Sequence, residues 1–179
     1  MDIDKNNIQM SIVCNVTLYK RNAKNKRLIE KISSKNTVTQ IALLGIAKYL
    51  CDLFISNDTL MSTYIPKYLA VGSGTTAATP TDTHLTTEIL LNDATNRFEV
   101  AQKIIDSTTH DNYVTITLKS YIPTTFDGTI KELGLFTSSS GNTCWARTVL
   151  QSPYLIKSEG QLVDVIWTIS ILSTPTIPS

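Results

Sequence analysis

Gly72-Ser73-Gly74-Thr75-Thr76-Ala77 is the first segment whose residue types and spacing suggest chemistry, because it follows a β-like run and imitates a dinucleotide-binding fingerprint. That chemistry needs a helix to start within the motif, so that free N–H groups face a pyrophosphate. Here Pro80 and the polar run 79–83 follow instead, and no Lys-Ser or Lys-Thr completes a phosphate loop. A tight glycine turn leaving a strand is the expectation, without a nucleotide. Nucleophilic catalysis has little to draw on. His84 and His110 are the only histidines, each in a polar stretch, and no G-x-S-x-G elbow accompanies them. Asp106 and Asp111 flank a turn, where solvated charge is the ordinary reading. Cys14, Cys51 and Cys144 are odd in number, far apart and without a CxxC pair, which argues against a disulfide framework or a zinc site. They are expected to be small buried side chains of a protein made in a reducing compartment. The sequence assigns no catalytic residue, metal ligand or cofactor, and the chain is expected not to be an enzyme.

Charge points to position rather than reactivity. Glu132 and Arg147 each lie inside an apolar run, on either side of the turn-forming Ser138-Ser139-Ser140-Gly141-Asn142. They either meet across a hairpin and fix its register, or stand as two exposed charges on an outer face. Lys20, Arg21, Lys24, Lys26 and Arg27 form one basic cluster with Tyr19 as the only nearby aromatic, a pattern better suited to a solvated hairpin tip than to nucleic acid.

The elements that must position these residues are mainly β. Ile8, Met10, Ile12, Cys14, Val16 and Leu18 alternate with more polar neighbours, the period of a half-buried strand. Residues 27–32 are expected to return as a second strand. Further strands are expected at 67–71, 97–105, 112–122, 129–137, 143–150 and 162–172, the last with Val163, Val165, Trp167, Ile169 and Ile171 on one face. One helix is expected at about 37–55, started by a capping box in Thr37-Val38-Thr39-Gln40 and apolar nearly all round. Such a helix must be buried on several sides, against a sheet or a sister subunit. Strands joined by turns rather than helices predict an antiparallel β-sandwich with one long buried or interface helix near the N-terminus. Residues 1–172 are expected to form a single domain, and 173–179, with two prolines, an extended arm.

At 179 residues, 42% hydrophobic and 17% charged, the composition is that of a globular domain. A formal net charge of +1 provides no field to draw the molecule to nucleic acid or an anionic membrane. The polar, acidic opening Met1-Asp2-Ile3-Asp4-Lys5-Asn6 is unlike a secretory leader. The longest apolar stretch, 41–54, is interrupted by Lys48 and Asp52 and is too short to span a bilayer, so a soluble protein is expected.

Lys67-Tyr68-Leu69-Ala70-Val71-Gly72-Ser73-Gly74-Thr75-Thr76, followed by Pro80, Asp82-Thr83, Leu85 and Glu88, resembles the phage tail-collar fibre proteins, in particular their N-terminal attachment domain. The likeness resumes at Thr129-Ile130-Lys131-Glu132-Leu133-Gly134-Leu135-Phe136 and continues through Ala146-Arg147, Lys157 and Val165-Ile166-Trp167-Thr168-Ile169. In the family a basic residue usually follows the Glu88 equivalent closely, whereas here Ile89-Leu90-Leu91 intervenes and Arg97 comes later. The resemblance implies a structural protein of the virion, assembled in the bacterial host cytoplasm at the tail, the collar or a fibre base. Gly72, Gly74, Glu88, Glu132, Gly134, Phe136, Arg147 and Trp167 are then structural or interface candidates. The expected partners are copies of the chain itself, as a trimer or a higher ring, and other virion proteins. Two alternatives stay open. One is a capsid decoration or head fibre. The other is a glycan-binding module using Tyr64, Tyr68, Tyr113, Tyr121, Tyr154 and Trp145.

Overall fold

The computed structural model describes residues 8–52, 64–89, 97–107 and 113–175. The strand expected at the start is β1 (Ile8–Asn22), and its alternation has the predicted consequence: Cys14, Val16 and Leu18 are buried while Val13 is exposed. A turn carrying the basic cluster leads to β2 (Leu28–Lys35). β3 (Thr37–Val38) and helix α1 (Gln40–Asp52) follow, then β4 (Tyr68–Gly72). The remaining strands are β5 (Phe98–Glu99), β6 (Gln102–Asp106), β7 (Tyr113–Ile122), β8 (Gly128–Ile130), β9 (Glu132–Phe136), β10 (Cys144–Val149), β11 (Leu155–Lys157) and β12 (Gln161–Pro175).

The strands form two five-stranded antiparallel sheets and a two-stranded ribbon. The first sheet has the order β2-β1-β12-β7-β6, with β1 and β12 paired along their whole length from Ile8↔Pro175 to Asn22↔Gln161. The second has the order β3-β10-β9-β4-β5, and the ribbon joins β11 to β8. One apolar cluster is shared by both sheets. Val16, Leu18, Leu118, Val163, Val165 and Trp167 come to it from the first, and Leu69, Val71, Leu133, Leu135 and Ala146 from the second. Inward side chains recur at every second residue of these strands, as a pleated sheet with one face in a core requires.

Four expectations need correction. The helix is short, 13 residues, and not the long element expected over 37–55. The capping box does not form, because Thr37 is spent in β3, opposite Arg147. Thr39 precedes the helix instead, and its hydroxyl donates to the carbonyls of β10 residues Cys144 (2.6 Å) and Trp145 (3.0 Å) rather than accepting from the first turn. Within a single copy of the chain Ala42 is fully buried, whereas Leu43 and Leu44 are 49% and 50% exposed. Residues 97–105 are not one strand but two, β5 in the second sheet and β6 in the first. Residues 173–175, expected in the arm, belong to β12, which pairs with β1 as far as Pro175. A proline missing its N–H is tolerated at the last rung of a ladder. Residues 176–179 lie outside the described residues, as does the place near 56–58 where the helix was expected to stop.

No helix among the described residues is long and apolar enough to cross a membrane. Trp167 is fully buried at the centre of the shared cluster. Trp167→Ala should therefore lower unfolding free energy by about 3–5 kcal/mol, the usual cost of a large core cavity, measured by urea denaturation.

Candidate functional site

All five residues of β9 are buried, as are residues 144–148 of β10 and 69–72 of β4 on either side of it, so the middle of the second sheet is covered on both faces. Leu133 and Leu135 face the shared core. Glu132, Gly134 and Phe136 therefore face the other way, and there the loop following β4 covers them. Gly134 is the point of closest approach: a Cβ there would lie 2.7 Å from the Phe136 ring and 2.9 Å from Leu85 of the loop. A ring and a loop side chain thus crowd this glycine.

Glu132 and Arg147 meet, and they do so out of water, at 0% and 2% exposure. They are not direct cross-strand partners, since Arg147 lies opposite Gly134 and Glu132 opposite Val149. The guanidinium reaches diagonally, donating from Nε (2.9 Å) and Nη2 (2.7 Å) to Glu132 Oε2. The rest of the carboxylate belongs to the loop. Oε1 accepts from the N–H groups of Gly74 (2.9 Å) and Thr87 (2.8 Å), and Oε2 also accepts from Thr86 N–H (3.1 Å). Gly72 and Gly74 leave the space this needs. A Cβ on Gly72 would sit 2.5 Å from the Thr87 carbonyl and 2.6 Å from Glu132 Oε1, and one on Gly74 would strike the same carboxylate. Close approach to a side chain, not to a phosphate, explains these two glycines.

Arg147 then fastens the far side of the loop. It donates to Asp82 Oδ2 (2.7 Å), to the Thr76 carbonyl (2.8 Å) and to Thr86 Oγ1 (2.7 Å). Asp82 is held in turn by the Thr79 N–H (2.9 Å) and hydroxyl (2.8 Å). Partial burial would raise the Asp82 carboxyl, but the Thr79 N–H and the Arg147 guanidinium outweigh it and hold it below the usual carboxylate range. Burial likewise opposes the Arg147 charge, and Asp82 and Glu132 more than compensate, raising it further.

A second ion pair closes the other end. Arg97 grips Glu88 with both prongs, Nε to Oε1 at 2.9 Å and Nη2 to Oε2 at 3.1 Å. It also donates to the carbonyls of Ser138 (3.0 Å) and Gly141 (2.9 Å) in the β9–β10 turn. Its guanidinium lies 3.5 Å above the Phe136 ring centroid. The late basic residue thus reaches Glu88 despite its distance in sequence.

Seven of the eight candidate residues therefore converge on one place, the loop of residues 73–88 on the outer side of the second sheet. Trp167 does not join them; it belongs to the core. Asp82 and Arg97 join them, named until now only through the resemblance, and so does Thr86, which sequence reasoning passed over. The spacing Thr79-Pro80-Thr81-Asp82 was the available signal for one of them, since a carboxylate three residues on can close a turn.

Other candidates disperse. Cys14 and Cys144 are buried, with thiols pushed up to about 11 and about 12 mainly by loss of solvent, so neither is an activated nucleophile. His84 is exposed, while His110 and Asp111 lie outside the described residues. No group of three or more metal-ligating side chains occurs among the described residues. Lys20, expected at a solvated tip, is instead buried against Glu30 (2.5 Å) and the Ile156 carbonyl (2.9 Å). Lys24, Lys26 and Arg27 are exposed as expected. Trp145 is in the core, Tyr154 packs at its margin, Tyr68 packs against the separate cluster of Ala70, Leu85, Phe136 and Cys144, and Tyr121 is 45% exposed, so these aromatics are not gathered into one platform. Lys157 is a further buried cation, bound to the Phe126 carbonyl, with its pKa lowered mainly by burial.

Comparison with known proteins found no matching family model, curated protein or solved structure.

Removing one member of a buried pair strands the other, at a cost of about 3–5 kcal/mol. Glu132→Gln and Arg147→Met should each destabilise by that order in urea unfolding, and a double-mutant cycle should show coupling of at least about 1 kcal/mol. Because the Asp82 pKa is depressed on folding, its contribution is present above the unfolded value of about 3.9 and is lost as pH falls through the folded value. Thermal melts between pH 6 and 2 should show a shallower acid limb for Asp82→Asn than for the parent.

Proposed function

We propose that the chain is a non-enzymatic building block of a bacteriophage particle. In this reading it is a β-sandwich attachment module of the tail, collar or fibre base, and it works by packing against copies of itself and neighbouring virion proteins. The observation that carries the reading is the loop of residues 73–88, whose shape is set by buried charge rather than by chance contact with solvent. Thr75, Thr76, Ala77, Thr79, Pro80 and Thr81 remain exposed on it. They form an uncharged surface of fixed form, suited to lying along another protein. The helix adds apolar area beside it: Gln40 N–H donates to the Pro80 carbonyl (2.8 Å), and Leu43 and Leu44 stand half in water close by.

The resemblance supports the same conclusion from another side. Gly72, Gly74, Leu85, Glu88, Glu132, Gly134, Phe136 and Arg147, which carry the likeness to tail-collar fibre proteins, are also residues that seat this loop. A motif that fixes a presented surface fits an attachment role better than a turnover role. Binding by such a surface stems from area burial and shape, with little ordering left to do on association.

Purified particles from a producing bacterium test this directly. Quantitative mass spectrometry should find the chain at a constant copy number per particle, and density in the intact particle should place it at the tail or collar. Recovery only as a free protein, with none in particles, would refute the proposal.

A further inference from the structure

Both end strands of the first sheet, β2 and β6, lack an outer neighbour among the described residues. β6 is exposed from Gln102 to Ile105, with Ile105 at 72%. Its register explains why that exposure is anomalous. Lys103 and Ile105 lie opposite Leu118 and Ile116 of β7, so they point to the side of the sheet that carries the core. An isoleucine on the core-facing side is thus left in water because the sheet stops there. The other end of the sheet is complementary. Glu30 and Ile32 of β2 lie opposite Lys20 and Leu18, on the same core-facing side. Leu28 and Ile29 beside them are 45% and 48% exposed.

We propose that β6 of one copy pairs in parallel with β2 of the next, so that the first sheet runs on from subunit to subunit and closes as a ring. This rests on the self-associating reading above and names the surfaces that carry it. Direction follows from topology. Successive strands of the sheet are antiparallel, so the two end strands run the same way. Rotation about an axis along the strands then sets β6 beside a neighbouring β2 in parallel, a head-to-tail contact of the kind that builds rings.

Side-chain chemistry selects the register. A shift of one residue would turn the core-facing side chains of one strand to the wrong side. Among the registers that keep the faces matched, one sets Lys103 beside Glu30 and, in the same step, Ile105 beside Ile32. A shift of two residues one way puts Ile105 against Glu30, and the other way puts Lys103 against Ile32. The favoured register joins opposite charges and covers the exposed isoleucine at once. It also uses both free edges of every copy, whereas β6 pairing with a second β6 would leave each β2 open.

The test uses the full chain with Cys51 replaced by serine and two single variants, Ile32→Cys and Ile105→Cys. Under mild oxidation a mixture of the two variants should give a covalent pair across copies, and neither variant alone should do so. Ile105→Lys should keep the parent's circular dichroism and raise the concentration for half-assembly by about tenfold, as expected for losing one apolar contact per interface, read by analytical ultracentrifugation. A crosslink formed by Ile105→Cys alone would overturn the proposal, and so would an oligomer that persists without any crosslink in the mixture. That last result would leave self-association standing. A chain that stays monomeric at all concentrations and is absent from particles would remove the proposed function as well.

Discussion

A carboxylate with no access to water sits in the middle of an apolar strand, and most of the second sheet is arranged around keeping it satisfied. Taking such a group from solvent costs several kcal/mol even after the protein relaxes. Glu132 recovers this through contacts that could not be assembled locally: the Arg147 guanidinium from the neighbouring strand and three backbone N–H groups from the loop. Coulomb attraction and hydrogen bonding act at the same atoms, in a setting where both are stronger than in water. The pair contributes less to net stability than to uniqueness. A loop in any other shape would leave a buried charge uncompensated, so alternative loop conformations are expensive and the observed one is specified.

That constraint accounts for the asymmetry between the two sheets. The first has a core-facing side and a more solvated side, and its strands alternate accordingly. The second is covered on both sides, by the shared core and by the loop, which is why every residue of β9 is buried. Small residues mark where the cover comes closest. Gly72 and Gly74 give room to the Glu132 carboxylate, and Gly134 gives room to Phe136 and Leu85. Phe136 then offers its face to Arg97, so the second buried cation is met by π-electrons as well as by Glu88.

Much of the strand order along the chain was legible because alternation is a local property. β1, β7 and β12 declare themselves through every second residue, and the Glu132 and Arg147 pairing was suggested by two charges bracketing one turn. What was not legible depended on distant partners. The threonine placed to cap a helix was taken by a strand rung with β10, a contact more than a hundred residues away in sequence. Residues 97–105 have one continuous β-like pattern, yet the chain passes from one sheet to the other within it. Arg97 stood out only as a basic residue that follows Glu88 late, and its two-pronged grip on that carboxylate is made by the fold. Lys20 lies in a run of cations that reads as a hydrated tip, while strand alternation turns it inward toward Glu30 and Ile156. In each case a tertiary partner overrode the local preference.

β12 occupies the centre of its sheet, between β1 and β7, although it is the last strand in chain order. Ribosomal synthesis therefore releases β1, β2, β6 and β7 well before the strand that must separate β1 from β7. Until residues 161–175 emerge, the early strands have no template at their inner borders, and the pairing that completes the sheet closes a loop from Asn22 to Gln161. Such long-range closure is slow and leaves strand borders open to wrong partners meanwhile. Nascent chains halted before this final segment are the species most in need of chaperone protection.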